Sequence, residues 1–311
     1  MTWDPTRLPD QTGRTIVVTG STAGIGYFAA EQLAAAGADV VLASRSHDKL
    51  RRAATSIRSR VPQARVRHVA LELGSLTAVD EAAAELALLP RLDAVLLNGG
   101  AMSMNRRELT ADGLPLLLGT HVAANARLLA RLLPTLVATA VDHGTVARVV
   151  HTSTGFVQLL RVGVDDLRQV PAIGVVAYTK AKTATEVFAF ELDRRLRAAG
   201  LPAASVVTRP GVGVDAKTPE RPGVRDDTTP YQRNPYTPWA QGKDTAAWSA
   251  VRALTDPEVR GGEYFSPVGR LRGAPVAIVP PARTATPAGD AASSLWRQVE
   301  ELAGVPIDVG A

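Results

Sequence analysis

The feature that most constrains this chain is a glycine-rich stretch near the N-terminus. It reads Thr19-Gly20-Ser21-Thr22-Ala23-Gly24-Ile25-Gly26 and follows Ile16-Val17-Val18, a β-branched run typical of a buried strand. Apolar residues at helical spacing follow as far as Gly37, which suits a helix C-cap. Missing side chains on a strand-to-helix turn let the backbone approach a phosphate, and the helix N-terminus presents free N–H groups to it. The stretch therefore predicts a phosphate-binding turn, against the alternative of an ordinary glycine-rich connection.

Strand-like and helix-like segments alternate from Arg14 to about Val207. Short apolar, β-branched runs predict strands at 15–19, 39–43, 65–70, 94–97, 145–151 and 204–208. Amphipathic stretches predict helices at 48–59, 76–89, 112–137 and 177–199. This alternation predicts an α/β fold, a doubly wound parallel sheet of the Rossmann type with helices on both faces. Such a sheet binds its ligand beyond the carboxyl ends of its strands.

The character of the chain changes after Arg209-Pro210-Gly211. Prolines recur between 217 and 238 together with Tyr231, Tyr236 and Trp239, so residues 215–242 are predicted to form a lid. A helix at 245–254, a short strand at 263–266 and a helix at 291–302 follow, and residues 267–311 are predicted to be a small C-terminal extension. Because neither a change of composition nor a repeat marks a boundary, we expect one domain over residues 1–311.

Composition and charge narrow the choice of partners. The 311 residues carry a formal net charge of +5, but the basic residues are scattered and lack interleaved aromatic residues, which argues against a nucleic-acid partner. The chain has no cysteine, which excludes a cysteine metal site and suits a reducing compartment. The sequence shows neither a signal peptide nor an apolar run of membrane-spanning length, so we expect a soluble, cytoplasmic protein without a membrane partner.

The end of the second predicted strand bears on the choice of dinucleotide. Dinucleotide-binding sheets commonly place an acidic residue there to hold the ribose hydroxyls of NAD. This chain has Ser44 and Arg45 instead. Because a guanidinium and a hydroxyl suit a 2′-phosphate, the sequence predicts NADP(H), unless Arg45 is simply a surface arginine.

Tyr178 and Lys182 are the candidate catalytic pair. They lie four residues apart in Tyr178-Thr179-Lys180-Ala181-Lys182, so they share one face of the predicted helix. A tyrosine is normally protonated, with a pKa near ~10. A neighbouring ammonium stabilises the phenolate, so the sequence predicts a lowered pKa for Tyr178 and a role as acid or base near neutrality.

Several motifs follow one another in order along the chain. After the glycine turn come Asn98-Gly99-Gly100-Ala101, Thr152-Ser153-Thr154-Gly155, Tyr178 with Lys182, and Pro210-Gly211. This series resembles the short-chain dehydrogenase/reductase superfamily over about residues 8–305, and most closely its retinol-dehydrogenase-like branch with its bacterial relatives. The closer resemblance is carried by Leu8-Pro9-Asp10-Gln11-Thr12-Gly13, Thr110-Ala111-Asp112-Gly113-Leu114, Val164-Asp165-Asp166-Leu167, Gly262-Glu263-Tyr264-Phe265 and Leu295-Trp296-Arg297 with Glu301-Leu302-Ala303-Gly304-Val305.

The resemblance implies a role for each matching residue. The pyrophosphate turn would comprise Gly20, Ser21, Thr22, Gly24 and Gly26, with Ile25 under the nicotinamide and Pro210 and Gly211 bordering it. The adenosine side would comprise Ser44 and Arg45 at the 2′-phosphate, Glu72 and Leu73 beside the adenine, and Asn98, Gly99 and Gly100 at the central strand and the ribose. Tyr178 would be the catalytic acid/base, while Lys182 would bind the nicotinamide ribose and lower the pKa of the tyrosine.

Three positions depart from the family's pattern. Thr154 stands where the family has its catalytic serine, with Ser153 one residue before it; either hydroxyl can bond a substrate carbonyl, and we favour Thr154. His121 stands where an asparagine supports a proton relay, and Asn125 lies one helical turn later. A histidine ordinarily titrates near neutrality, so His121 is a candidate relay residue or a structural one. The threonine that holds the carboxamide is missing, and Asp215 and Thr218 are nearest to its place.

The implied activity is hydride transfer between NADP(H) and a carbonyl or secondary alcohol, without a metal; the aromatic lid indicates a bulky, apolar substrate. Two alternatives stay open: an acid–base enzyme of secondary metabolism (epimerase, dehydratase or cyclase) with no net redox, and a non-catalytic NADP(H)-binding sensor. The resemblance also implies a homodimer or homotetramer through the helices at 112–137 and 177–199. Their leucines suit either such a seam or packing on the sheet: Leu116, Leu117, Leu128, Leu129, Leu132 and Leu133.

Overall fold

A computed structural model describes residues 3–103, 105, 107–227, 229 and 234–310. Its strands are β1 (Thr15–Thr19), β2 (Asp39–Ser44), β3 (Arg65–Ala70), β4 (Ala94–Leu97), β5 (Ala147–Thr152), β6 (Ala203–Thr208), β7 (Tyr264–Pro267) and β8 (Pro275–Ala277). They form one sheet in the order β3-β2-β1-β4-β5-β6-β7-β8, parallel except for the antiparallel pair β7 and β8. The strand order reverses between β1 and β4, which opens a crevice at their carboxyl ends. The predicted fold class is confirmed.

Helices cover both faces of this sheet. They are α1 (Gly24–Ala35), α2 (His47–Arg60), α3 (Leu76–Ala87), α4 (Leu116–Leu118), a π-helical turn (Gly119–Ala123), α5 (Ala124–His143), α6 (Phe156–Leu159), α7 (Gly174–Ala198), α8 (Lys243–Ala246), α9 (Trp248–Thr255), α10 (Ala282–Ala285) and α11 (Ala291–Ala303). Ile16 and Val18 of β1 are buried against α1, α2 and α9, whereas Val17 is buried against α3, α5, α7 and α11. A strand that is apolar on both faces is what a sheet between two helical layers requires.

The helix predicted at 112–137 is longer and less regular than expected. Gly113 has a φ of +76° and the Leu114 N–H donates to Thr110 Oγ1 over 3.2 Å, so the chain is still turning before Pro115 and α4 begins after it. The π-helical turn then leads into α5. That helix contains Pro134 and ends only where Gly144 adopts the left-handed conformation, with a φ of 61°.

Three short elements lie where the sequence pattern predicts only loop or extension. Strand β8 falls in the proline-rich stretch after β7 and extends the sheet by pairing with it. Helix α6 follows β5 directly, and α10 packs on α7 within the predicted C-terminal extension. All three have four residues or fewer, too short for a hydrophobic period to reveal.

The segment predicted as a lid is anchored at its ends and to α1. The Val214 N–H donates to the carbonyl of Gln241 and the Gln241 N–H to the carbonyl of Val212, both over 2.9 Å. Arg221 holds Glu31 of α1 through two hydrogen bonds of 2.6 and 2.7 Å. Tyr231, one of the three aromatic residues behind the lid prediction, lies outside the described residues; Tyr236 and Trp239 are exposed.

The leucines that suit either a subunit seam or the core are largely buried within the chain itself. Leu128, Leu129, Leu132 and Leu133 pack in the core shared with α3, α7 and α11. Their burial therefore needs no second subunit. No helix in the described ranges combines the length and apolar character needed to cross a bilayer.

Candidate active site

The glycine turn at the end of β1 is built so that side chains are excluded. Gly20 and Gly24 have φ values of +65° and +59°, in the left-handed region that favours glycine. A Cβ on Gly26 would lie 2.6 Å from Asn98 Nδ2 and closer still to the carbonyl oxygen of Gly20. A Cβ on Gly20 would lie 2.8 Å from the Cα of Gly99. The turns after β1 and β4 are therefore in direct backbone contact.

The residues at this turn fit the phosphates of a dinucleotide. Helix α1 begins after Ala23 with no side-chain cap, so its first N–H groups are left for a ligand. The Ser21 hydroxyl is buried, and the described part of the chain gives it no hydrogen-bond partner. Thr22 Oγ1 lies 3.3 Å from Ser44 Oγ, which joins the turn to the end of β2. Ile25 is partly buried against the core beneath α1.

Arg45 and Glu72 face each other across the ends of β2 and β3. Arg45 Nη1 lies 4.0 Å from Glu72 Oε2, and the Arg45 side chain is 76% exposed. Glu72 Oε1 accepts a 2.7 Å hydrogen bond from the Gly74 N–H, which fixes the carboxylate beside the loop. Leu73 packs against Gly99. Arg45 is thus free to reach a phosphate, in competition with the carboxylate of Glu72.

Thr19 holds the turn after β4 in place. Its Oγ1 accepts hydrogen bonds from the N–H groups of Asn98 (3.0 Å) and Gly99 (2.8 Å), while Asn98 Nδ2 donates to the Thr19 carbonyl over 3.2 Å. A Cβ on Gly100 would lie within 2.8 Å of the His121 ring. Because Gly100 has no side chain, the His121 ring can occupy this space. The sequence does not show that these two positions are in contact.

Tyr178 and Lys182 meet on α7, but burial dominates the acidity of the phenol. Lys182 Nζ lies 6.0 Å from the centre of the Tyr178 ring and donates to the Thr152 carbonyl over 2.6 Å. Burial raises the pKa of Tyr178 to about 12, and the hydrogen bond with Thr154 opposes this. The prediction of a lowered pKa for Tyr178 is therefore wrong, because burial of the phenol raises its pKa. Burial lowers the pKa of Lys182 itself to about 8.

Thr154 and Ser153 point to different places. The Thr154 hydroxyl is the one that hydrogen-bonds Tyr178. Ser153 is 2% exposed and its Oγ donates to Glu186 Oε1 over 2.5 Å. Neighbouring residues at a strand end face opposite ways, so only one of the two hydroxyls can reach the catalytic tyrosine. The prediction that Ser153 could supply the catalytic hydroxyl is therefore wrong, and Thr154 stays the candidate.

His121 lies beside Tyr178 as a neutral ring. The two rings form an edge-on contact with centroids 5.5 Å apart. His121 Nε2 lies 2.8 Å from the Ala101 carbonyl, so we assign the proton to Nε2, and Nδ1 is buried without a partner in the described chain. Burial and the charge of Lys182 hold the pKa of His121 well below its usual range. The expectation that His121 titrates near neutrality is therefore wrong.

Asn125 stabilises the π-helical turn next to this histidine. Its Nδ2 donates to the carbonyls of Thr120 (3.0 Å) and His121 (3.2 Å), both of which belong to that turn. Asn125 Oδ1 is buried without a partner in the described residues. The asparagine one turn after His121 therefore supports the backbone beside Tyr178.

Pro210 and Gly211 leave the end of β6 and are held from the far side. The Pro210 carbonyl accepts from Gln241 Nε2 over 2.8 Å, and Gly211, with a φ of +70°, lies against the backbone of Leu271. Asp215 and Thr218, the residues nearest to the place of the missing threonine, both bond other groups through their side chains. Asp215 Oδ1 pairs with Lys243 Nζ over 2.6 Å, and Thr218 Oγ1 donates to the Val214 carbonyl over 2.7 Å.

Sequence reasoning misses one residue next to the catalytic pair. Glu186 follows Lys182 by one helical turn and is fully buried, where its carboxylate accepts from Ser153, Tyr264 and Thr284. A carboxylate at i+4 from a lysine is a signal in the sequence. Glu186 differs from a carboxylate in a surface ion pair because it is buried. This burial depends on α10 and β7, which the spacing of residues does not show.

Comparisons with known proteins agree with this architecture. The family model for short chain dehydrogenases matches residues 14–220. The chain is 32% identical to the short chain dehydrogenase/reductase dpchH of Colletotrichum higginsianum, over 94% of this chain and 76% of that protein. It is 32% identical to the polyprenol dehydrogenase of Mus musculus, over 84% and 78% of the respective chains.

A solved structure covers nearly the whole chain. The crystal structure of an uncharacterized protein from Mycobacterium paratuberculosis superposes with a TM-score of 0.77 at 26% identity, over 99% of this chain and 100% of that one. Its fold matches the sheet and helices described above. The family model covers more than half of the chain, and the residues in the crevice fit a nicotinamide dinucleotide. This chain belongs to the short-chain dehydrogenase/reductase family of oxidoreductases.

Proposed function

We propose that this protein is an NADP(H)-dependent oxidoreductase that interconverts a carbonyl and an alcohol on a bulky, apolar substrate. The observation that carries the proposal is the cluster of Tyr178, Thr154 and Lys182 at the carboxyl end of the sheet, beside the glycine turn. A sensor that only binds NADP(H) does not require this cluster, in which the Tyr178 phenol is hydrogen-bonded to Thr154 and the Lys182 ammonium is buried nearby.

Each side chain has a part that follows from its position. When bound, NADPH supplies the hydride. Tyr178 is protonated at neutral pH, because its pKa is raised to about 12, so its hydroxyl serves as the proton donor in the direction of carbonyl reduction. Thr154 places a second hydroxyl next to it and polarises the same carbonyl oxygen. Lys182, buried below the tyrosine, would hold the nicotinamide ribose.

Thr154 can be tested with two substitutions of similar size. Thr154→Val keeps the shape and removes the hydroxyl, so we expect carbonyl reduction to fall about 100-fold, the typical effect of losing one donor to a developing oxyanion. Thr154→Ser keeps the hydroxyl and should retain most of the turnover. Steady-state rates with NADPH check both. Equal rates in the Val and Ser variants would assign the polarising hydroxyl elsewhere.

The preference for NADP(H) rests on Arg45. Arg45→Ala should weaken NADPH binding about tenfold while leaving NADH binding unchanged, because only the 2′-phosphate uses the guanidinium. Arg51→Ala is the matched control, since Arg51 is another exposed arginine, on α2, that pairs with Asp48. Dissociation constants from fluorescence titration give both ratios. If Arg45→Ala leaves the NADPH-to-NADH ratio at its original value, Arg45 is an ordinary surface arginine.

We take the surface beside Pro210 and Gly211 as support for an apolar substrate. A groove of about 490 Å³ is lined by Trp239, Val268 and Leu271 together with Gln241, whose amide holds the Pro210 carbonyl. Large apolar side chains are also exposed in the segment between β5 and α7, at Phe156, Leu159 and Ile173. The relative from mouse is by name a polyprenol dehydrogenase. These features favour a long or bulky apolar substrate with segment 215–242 as its cover.

The proposal is tested by turnover against a graded set of carbonyl compounds. The purified protein is incubated with NADPH and with aldehydes and ketones of increasing apolar size, from short aliphatic to isoprenoid. We expect loss of NADPH absorbance with the isoprenoid compounds and little with the short ones. NADPH binding without turnover on any member of the set would instead favour a sensor.

A further inference from the structure

Glu186 is the most deeply buried carboxylate near the catalytic pair. It is 0% exposed, and three hydroxyl groups donate to it. Ser153 Oγ (2.5 Å) and Tyr264 Oη (2.7 Å) donate to its Oε1, and Thr284 Oγ1 (2.9 Å) donates to its Oε2. These donors come from the end of β5, from β7 and from α10. One side chain thus joins the loop that carries Thr154 to the C-terminal segment.

Two arginines hold the loop at further places. Arg283 of α10 donates to the carbonyls of Val157, within α6, and of Leu160, directly after it. Arg209, 3% exposed, donates to Gln158 Oε1 over 2.5 Å and to Ser266 Oγ over 2.7 Å. Residues on both sides of Thr154 are therefore fixed by side chains from α7, from α10 and from the end of β6. The carboxylate of Glu186 is the part of this arrangement that contacts Ser153, the immediate neighbour of Thr154.

Glu186 is also the negative group that acts on Lys182. The lysine lies one turn earlier on α7 and is fully buried by its surroundings, which lowers its pKa to about 8, while Glu186 acts in the opposite direction. Three other ionisable groups face the lysine. They are Tyr178, His121 and His151, and the charge of Lys182 contributes to lowering the pKa of both histidines.

Other groups act on Glu186 itself. The pKa of Glu186 is raised, because burial outweighs the lowering effect of the hydroxyls of Ser153, Tyr264 and Thr284 and of the charge of Arg283. Arg209 is also close enough for Glu186 to affect its pKa. The hydroxyl donors and guanidinium groups all favour the charged carboxylate. A buried carboxylate with this set of partners is suited to act as the counter-ion of Lys182.

We propose that Glu186 is a positioning residue of the active site, whose carboxylate keeps Lys182 charged and, through Ser153 and Thr284, fixes the Thr154 loop against the C-terminal segment. The second half rests on the proposed function, because Thr154 matters only if the site polarises a carbonyl. The first half concerns this chain alone. It can be measured without cofactor or substrate.

Glu186→Gln separates charge from shape. The amide keeps one acceptor oxygen for the hydroxyl donors and the same side-chain volume, but it carries no charge. Lys182 is then left with burial, which disfavours its ammonium, and with the hydrogen bond to the Thr152 carbonyl. We expect the midpoint of its titration to fall by about one pH unit, the lower end of what a neighbouring opposite charge produces. The loss of NADPH affinity on raising the pH should move down by the same amount.

The experiment follows the Cε resonances of isotope-labelled lysine by NMR in the cofactor-free protein. The chain has only five lysines, and Lys182→Met assigns the signal. Glu186→Asp, which keeps the charge, should restore most of the shift. Glu191→Gln removes a carboxylate of the same helix that pairs with Arg194 and Arg195, and should leave the midpoint in place. Fluorescence titration with NADPH across pH gives the second readout.

The outcomes decide between the readings. A Lys182 midpoint in Glu186→Gln equal to wild type overturns the proposal, because Glu186 is then a neutral or uncoupled group. If the Gln variant does not fold, Glu186→Met, which is uncharged and of similar length, takes its place with the same expected fall in the midpoint; no shift there also overturns the proposal. If the NMR midpoint moves but wild type does not bind NADPH, the electrostatic coupling stands and the proposed function fails.

Discussion

Replacing Tyr178 with phenylalanine should lower carbonyl reduction by about 100- to 10,000-fold, the usual contribution of a positioned acid or base. The hydroxyl is the proton donor, and its raised pKa keeps it protonated across the physiological range. NADPH binding should be little changed, since Phe fills the same space beside His121 and Lys182. Initial rates from NADPH absorbance and dissociation constants from fluorescence measure the two effects separately.

Tyr27→Phe is the control for this substitution. Its hydroxyl bonds Glu31 and Ser56 between α1 and α2, so removing it tests the loss of a phenol at a structural position. We expect wild-type turnover in that variant. Turnover at the wild-type rate in Tyr178→Phe would remove Tyr178 from the mechanism, and parallel losses of turnover and NADPH binding would make it a structural residue.

Gly26→Ala should abolish most NADPH binding and also destabilise the fold. The added Cβ would meet the backbone oxygen of Gly20 and the Asn98 amide, neither of which can move without displacing β1 or β4. Overpacking of this kind costs about 1–3 kcal/mol. Because 1.4 kcal/mol is a factor of ten in affinity, the dissociation constant should rise about tenfold or more. Thermal unfolding and fluorescence titration check both consequences.

Gly155→Ala is the matched control for the added methyl group. A Cβ there would meet no atom within 4 Å, and the residue has a helical φ of −62°. Its unfolding temperature and NADPH affinity should stay at the wild-type values. If Gly26→Ala binds NADPH as tightly as Gly155→Ala does, the glycine turn is not where the pyrophosphate lies.

The sheet could be predicted from sequence because its strands are continuous apolar runs. The run Ile16-Val17-Val18 alternates between two cores, a pattern that only a strand between two helical layers satisfies. Strand β8 could not be found this way, since Pro275-Val276-Ala277 acquires its strand conformation by pairing with β7. The irregular start of the helix at 112–137 likewise depends on the turn that Thr110 and Gly113 form before Pro115.

The spacing of residues in the sequence predicted which residues of the site lie together, but not their acidity or the direction of their hydroxyls. Four residues between Tyr178 and Lys182 place them on one face of α7, but burial and hydrogen bonding decide their acidity. Burial also decides the neutral state of His121. The choice between Ser153 and Thr154 needed the direction of each hydroxyl at the end of β5. Burial, hydrogen bonding and the direction of a hydroxyl depend on contacts between residues that are distant in the sequence.

The central claim is net hydride transfer, and the stoichiometry of NADPH consumption tests it most directly. The measurement compares the NADPH lost, from its absorbance, with the alcohol formed, from chromatography, on the best carbonyl substrate of the graded set. We expect one NADPH consumed for each alcohol produced, with the formation of alcohol lowered about 100- to 10,000-fold when Tyr178 is phenylalanine. Conversion of the substrate with no NADPH consumed would contradict the account and identify an acid–base enzyme that uses the same tyrosine and lysine.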